Sequence, residues 1–264
     1  MTESLLELAG VTRSFGGVVA VNDLTLTVPK GGITGLIGPN GAGKTTVFNV
    51  VSGFYRPQKG RILFKGLDIV RLPPHKVCRL GIARTFQNIR LFSGGTALDN
   101  VMVGCHVRRR KQWWMHLLLW PGAGREERKI REQSMELIRK LGLESYAGKK
   151  ATSLPYGAQR RLEIARALAT RPEFLLLDEP AAGMNPQESH DLMRFIRRIR
   201  DEFGLTILLI EHDMKVVMGV CEHIWVLDYG KLIAEGTARE IRGDAKVIEA
   251  YLGGGMEEAP LAEN

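Results

Sequence analysis

The chain has 264 residues, 44% hydrophobic and 25% charged, with a formal net charge of +8. That length allows one large core or a core with a smaller lobe. No run approaches eighteen uncharged apolar residues, and the start Met-Thr-Glu-Ser has neither a basic region nor an apolar segment, so neither a membrane span nor a secretory leader is expected and the chain is expected to stay in the cytosol. Cys78, Cys105 and Cys221 are far apart and odd in number, which argues against a disulfide framework or a zinc site and for buried or idle thiols. The excess of positive charge suits an anionic partner, whether nucleic acid, nucleotide or an anionic membrane surface, without choosing among them.

Along the chain, residues 5–12 and 24–28 alternate apolar with polar and read as half-buried antiparallel strands. Residues 32–37 form a short apolar run, followed by Gly38-Pro39-Asn40-Gly41-Ala42-Gly43-Lys44-Thr45, which fits G-x-x-x-x-G-K-S/T at every fixed position. Residues 45–51, from Thr45 and Thr46 onward, continue as a helix. Glycines at 38, 41 and 43 let the backbone close on phosphate oxygens, so that amides and the positive helix end face the anion. Lys44 then reaches the β- and γ-phosphates of a nucleoside triphosphate, and the Thr45 hydroxyl holds magnesium. A glycine-rich turn that happens to precede a lysine is the plainer alternative.

Residues 61–64 read as a strand, with Lys65-Gly66 as a turn. From about 73 to about 155 the texture becomes helical, as for an inserted lobe; within it residues 125–141 carry Ile130, Leu137, Ile138 and Leu141 at helical spacing, and Gly142 is placed as a stop. Strands 174–177, 206–210 and 224–227 then alternate with helices 187–203 and 214–220, the pattern of a parallel sheet covered on both faces. In the first of these helices Leu192, Phe195, Ile196, Ile199 and Phe203 share an apolar face; Arg194, Arg197, Arg198 and Arg200 are read as a solvated one. Residues 228–231 read as a hairpin turn and 253–264 as a frayed tail.

The strand 174–177 runs into Asp178-Glu179-Pro180, placing two carboxylates at the carboxyl edge of the sheet, where α/β folds bind ligands. Asp178 can hold magnesium, directly or through water, and Glu179 is the candidate general base for an attacking water. The strand 206–210 runs into Glu211-His212-Asp213 at the same edge, so His212 is read as donating to the γ-phosphate or positioning the water.

With these pieces in order the sequence resembles the nucleotide-binding subunit of an ABC transporter, over nearly its whole length. The resemblance implies an α/β P-loop NTPase fold: a mostly parallel sheet flanked by helices, an N-terminal antiparallel β-subdomain and a helical insert at about 88–160, all in a single ATP-binding domain spanning residues 1–264. It implies Phe15 as the aromatic stacking on adenine, Gln87 as a magnesium contact and a lever sensing the membrane subunits, and His212 as the switch histidine. The signature, usually L-S-G-G-Q, corresponds to Leu154-Pro155-Tyr156-Gly157-Ala158. Two subunits then stack head to tail, each ATP lying between one lysine loop and the other's signature.

Two positions depart from the pattern. Pro155 removes a serine hydroxyl, and a hydrogen bond to a charged group is worth about 1.5–3 kcal/mol; the Gly157 and Ala158 amides and the helix start remain as donors, and because Glu179 and His212 are both present the site is expected to be competent. Asn185 stands where an acid is common. These departures, with the strings around Gln87, Pro155 and Asn185 and the ending Val247-Ile-Glu-Ala-Tyr-Leu-Gly, look like the first of two ATPase subunits of bacterial branched-chain amino-acid importers. That implies two permease subunits, a second ATP-binding subunit or a second copy, an external solute-binding protein, and a peripheral place on the cytoplasmic face of the inner membrane. The alternative is the ATPase of an envelope lipid or polysaccharide exporter, whose signature usually keeps serine and two glycines. A soluble ABC protein acting on ribosomes or DNA generally carries two cassettes or a long coiled-coil insertion, and this chain has one lysine loop and neither addition. A regulatory module without turnover is disfavoured by Glu179.

The stretch Arg108-Arg109-Arg110-Lys111 followed by Trp113, Trp114 and Trp120 invites a nucleic-acid reading, but no nucleic-acid module surrounds it. A lipid headgroup or permease contact and an ordinary amphipathic insert stand as equal alternatives. Nucleic acid is not expected as a partner.

Overall fold

The computed structural model describes residues 3–107 and 123–253. The chain forms two compact units, one from the residues up to Val77 and from Glu173 onward, the other from Cys78 to Pro172.

In the first unit β1 (Ser4–Phe15), β2 (Val18–Pro29), β4 (Lys59–Phe64) and β5 (Leu67–Asp68) form an antiparallel sheet in the order β2-β1-β4-β5. β1 and β2 outrun the alternation at 5–12 and 24–28 because their ladder shifts register at several points, which hides the period-2 signal. Leu24, Leu26 and Val28 are buried as the alternation requires. The two strands close at Phe15 opposite Val18, leaving Phe15 at the tip of the hairpin.

The parallel sheet of this unit contains β3 (Ile33–Ile37), β7 (Phe174–Asp178), β8 (Thr206–Ile210), β9 (His223–Asp228) and β10 (Lys231–Gly236), running β10-β9-β3-β8-β7. Only the β9–β10 pair among these is antiparallel. Every residue of β3, β7 and β8 is buried, which is why these strands are continuous apolar runs. Leu36 lies opposite Ile210, and Ile210 opposite Asp178. The segments that follow, from Gly38, Glu179 and Glu211, therefore leave the sheet at one edge. The 228–231 turn is a two-residue hairpin with left-handed φ at Tyr229 (41°) and Gly230 (77°).

Helices α1 (Lys44–Val51), α6 (Pro186–Phe203) and α7 (Met214–Val220) belong to this unit. α6 buries Leu192, Phe195, Ile196 and Ile199, while Phe203 at its end is half-buried. Of its arginines, Arg194, Arg197 and Arg198 are exposed, as a solvated face requires, and Arg200 is half-buried. Arg194 pairs with Asp191, while Arg197 donates to the Gly219 carbonyl and Arg200 pairs with Glu222, fastening α6 to α7 and the segment after it. Beyond β10 come α8 (Ala238–Arg242) and α9 (Ala245–Gly253), which the pattern of residues 228–264 did not suggest; a capping box of Thr237 with Glu240 starts α8.

The second unit holds β6 (Ile82–Arg84), α3 (Ala97–His106), α4 (Ala123–Lys140) and α5 (Tyr156–Ala169), with α2 (Pro74–Leu80) running into it. α4 realises the helix expected at 125–141: Ile130, Ile138 and Leu141 are buried and Gly142 turns the chain at φ 69°. Asn100 of α3 is fully buried, accepting from the Phe92 amide and donating to the Phe92 and Thr96 carbonyls, and so ties the preceding loop to the helix. The basic tryptophan stretch 108–120 and the tail beyond Gly253 lie outside the described residues. The three cysteines are free; burial pushes the Cys221 thiol up to about 12, which makes it inert. No helix among the described residues is long and apolar enough to cross a membrane.

Candidate nucleotide-binding site

β3 is buried on both faces, so the chain must turn abruptly at its carboxyl end before α1 begins. Gly38 makes the turn with φ 147°, and a Cβ there would lie 2.1 Å from the Leu227 carbonyl oxygen. Gly43, with φ 101°, closes the loop just before α1, and its Cβ would lie 2.2 Å from the Ala20 carbonyl oxygen. Both positions exclude any side chain. The loop is pinned between two strands by Asn22 donating to the Gly230 carbonyl and Gly230 donating to that of Ala42, while the Ala42 amide donates to Pro39. No side chain caps α1 at Gly43. Its first-turn amides are therefore left without a side-chain acceptor, the arrangement that binds an anion.

Lys44 is 8% exposed, and its ammonium folds back to donate to the carbonyls of Gly38 (2.6 Å) and Pro39 (2.9 Å). Burial lowers its pKa from the ordinary lysine value, and the negative charges of Glu179 and Asp178 oppose that shift. The lysine thus lies within the field of both carboxylates at the end of β7. Asp178 is 4% exposed. Glu179 has a left-handed φ of 45°, unusual for a side-chain-bearing residue, and its amide is held by the Ile210 carbonyl at 2.9 Å. Its Oε2 lies 3.6 Å from Nδ1 of His212, an ion pair only when the imidazole is protonated. Among the described residues no group of three or more His, Cys, Asp and Glu could hold a metal. One carboxylate and one hydroxyl suit magnesium, which is usually bound by one or two carboxylates together with phosphates.

Residues 21–182 match the family described as ABC transporter, and residues 231–257 match that described as branched-chain amino acid ATP-binding cassette transporter. The chain belongs to the ABC transporter family. It is 47% identical to the high-affinity branched-chain amino acid transport ATP-binding protein BraF of Pseudomonas aeruginosa, covering 96% of this chain and 99% of that one. The corresponding LivG of Escherichia coli K12 is 44% identical with the same coverage. Among solved structures, the ADP conformation of MJ1267, an ATP-binding cassette of an ABC transporter, superposes with a TM-score of 0.83 at 32% identity, over 96% of this chain and all of that one. A dimeric post-hydrolysis state of the cassette MJ0796 bound to ADP and Pi gives 0.73 at 26% identity, over 89% and 99% of the two chains.

Other features of this ABC cassette are set by their local surroundings. Phe15 is 38% exposed; Tyr55 meets it edge-on with ring centroids 5.1 Å apart, and the Arg13 guanidinium lies 4.5 Å from its centroid. Arg13 and Tyr55 gave no signal in the sequence, because strand register and a turn, not spacing, bring them to Phe15. In the second unit Pro155 stands at the N-cap of α5, and its carbonyl accepts from the amides of Ala158 (2.9 Å) and Gln159 (3.0 Å). The expectation that the Ala158 amide is left to donate outward is thereby corrected, since it is spent within the first turn. The Gly157 amide, which has no carbonyl one turn behind it in the helix, is the donor retained. Leu154 is buried and Tyr156 is 41% exposed. Gln87 lies in the same unit, outside any helix or strand.

Asn185 acquires a structural role: its Oδ1 accepts from the Glu188 amide at 2.9 Å, while Glu188 Oε2 accepts from the Asn185 amide at 3.0 Å, with Pro186 as the first helical residue of α6. An amide caps a helix as well as a carboxylate does. Glu211 was passed over in the sequence although it sits beside His212. It is 1% exposed; Oε1 accepts from the Ala181 amide at 2.7 Å, and Oε2 from those of His212 (3.2 Å) and Asp213 (3.5 Å). The carboxylate therefore joins the loop that carries Glu179 to the loop that carries His212. A charged residue directly after a buried apolar strand was the available signal.

Proposed function

We propose that this chain is the ATP-binding and ATP-hydrolysing subunit of an importer for branched-chain amino acids. In this reading it works at the cytoplasmic face of the inner membrane with two permease subunits, paired head to tail with a second ATP-binding subunit or a second copy, and served indirectly by an external solute-binding protein. The whole of residues 1–264 is one ATP-binding domain with a helical insert at about 88–160. The exporter alternative finds no support among the relatives.

The observation that carries the reading is the register of β3, β8 and β7, which sends the lysine loop, Asp178-Glu179 and His212 off one edge with Lys44 inside the field of both acids. On nucleotide binding Lys44 exchanges the Gly38 and Pro39 carbonyls for the β- and γ-phosphates, and the loop from Gly38 to Thr46 wraps them with its amides. Phe15 stacks on adenine. Thr45, Gln87 and Asp178 would hold magnesium, which when bound neutralises phosphate charge. Glu179 takes the proton of the attacking water, a role worth about 10²–10⁴ in rate, and His212 donates to the γ-phosphate or steadies the water. Residues 154–158 offer the Gly157 amide and the positive end of α5 to the partner's ATP.

The test is Glu179→Gln, assayed for ATP binding, ATP turnover and uptake of labelled leucine in a strain lacking the native chain. Binding should persist and the dimer should be trapped, while turnover falls by about 10²–10⁴ and uptake stops. Normal turnover in this variant would remove Glu179 as the base. Intact leucine uptake in the strain lacking the chain would remove the transport assignment.

A further inference from the structure

Residues 85–92 lie in no helix or strand, yet their backbone is gripped from α5. Arg160 and Glu163, three residues apart on that helix, have side chains 0% and 1% exposed and pair at 3.0 Å. Nη1 of Arg160 also donates to the Phe86 carbonyl at 2.9 Å, and Nη2 donates to the Gln87 carbonyl at 3.0 Å and to the Tyr156 hydroxyl at 3.2 Å. Glu163 Oε1 accepts from the amides of Phe86 (3.3 Å) and Arg90 (3.4 Å). One ion pair thus holds carbonyls at 86 and 87 and amides at 86 and 90, while the same guanidinium touches Tyr156 of the signature.

Stability alone does not account for this arrangement. Two buried charges forfeit hydration that apolar side chains of similar size would not, and such replacements are often neutral or stabilising. Arg160 Nε is in addition buried with no hydrogen-bond partner among the described residues. What the pair supplies is direction: a planar fork with several donors fixes two successive carbonyls at once, which a lysine ammonium could not do.

We propose that Arg160 and Glu163 form a clasp that makes the glutamine loop and the start of the signature helix move as one piece, and that both are positioning residues for Gln87. This rests on the reading of Gln87 as a contact within the hydrolysis site. A displacement of the loop would then reach the signature, and a displacement of the signature would reach Gln87, without passing through flexible chain.

The experiment removes the pair without stranding a charge, as Arg160→Met with Glu163→Leu in the full-length chain. Amide hydrogen exchange at residues 86–90 should accelerate by about tenfold to a hundredfold, the loss of bonds to charged groups. Melting temperature should hold or rise. For ATP turnover kcat should fall about tenfold while KM changes less than about twofold, because the lysine loop is untouched. Unchanged exchange at 86–90, or faster exchange with unchanged kcat, overturns the proposal. If the double variant does not fold, Glu163→Gln, which keeps the size and one acceptor oxygen, is read by the same criteria. Gln87→Ala separates the premises: unaltered kcat in that variant removes the role of Gln87 and the proposal with it. A loss of kcat in Gln87→Ala beside an unaltered pair variant removes the clasp alone.

Discussion

α1 and α5 both begin without a side-chain cap, but they do so by opposite means. α1 is entered through Gly43 at φ 101°, a conformation that leaves its first amides free to face an anion, and Lys44 follows at once. α5 is entered through Pro155 at φ −54°, whose own carbonyl takes two of the first-turn amides, and no cationic side chain occupies its first turn. The first start is a complete phosphate cradle within one chain. The second has few donors and can only add to a phosphate already held elsewhere. On the proposed function, nucleotide affinity would reside in the lysine loop, and residues 154–158 would complete the partner's site.

The largest effect in this comparison is expected from Lys44→Ala, which removes charged bonds worth about 1.5–3 kcal/mol each and should weaken ATP binding about a hundredfold by calorimetry. Gly38→Ala comes next. Its Cβ would meet the Leu227 carbonyl oxygen at 2.1 Å in a left-handed backbone, so the loop must move; strain of about 1–3 kcal/mol corresponds to a tenfold to hundredfold loss of affinity. If ATP still bound normally to either variant, affinity would not reside in the lysine loop. At the signature, Pro155→Ser restores a hydroxyl and should lower KM for ATP in the assembled transporter about tenfold, the low end of the roughly 1.5–3 kcal/mol of a hydrogen bond to a charged group. An unchanged KM would mean that the Gly157 amide and the helix end already suffice.

The smallest effect concerns Glu211. Burial raises its pKa above 4.5, against the opposing pull of the Ala181, His212 and Asp213 amides. The folded protein thus holds this proton more tightly than the unfolded chain. The resulting stability is fully present below pH 4.5 and lost as pH rises through the raised value. Glu211→Gln should flatten that slope, seen as a smaller difference between melting temperatures at pH 4.5 and at neutral pH. An unaltered slope would mean that Glu211 does not titrate as its burial implies.

Much of the lysine-loop half was legible because its requirements are local: glycines at fixed spacing, a lysine, and apolar strands ending in acids. The basic, tryptophan-containing stretch at 108–120 and the tail beyond Gly253 lie outside the described residues. Other features were not legible, for reasons that differ residue by residue. Arg200 reads as a solvated arginine until the fold brings Glu222 to it. Asn185 reads as a lost acid until the helix start shows it capping α6. The α8 and α9 helices are short and follow a hairpin, so neither had the length for a clear period.

What the sequence by itself determined, then, was the parallel core and the chemical inventory of the cradle, since period, glycine placement and strand-end acids are written in consecutive residues. Only the tertiary structure decided which charges are buried and what they hold. Arg160 and Glu163 look like any exposed pair one helical turn apart, and Glu211 like any acid after a strand. Burial is a property of what packs around a residue, and those neighbours come from distant parts of the chain.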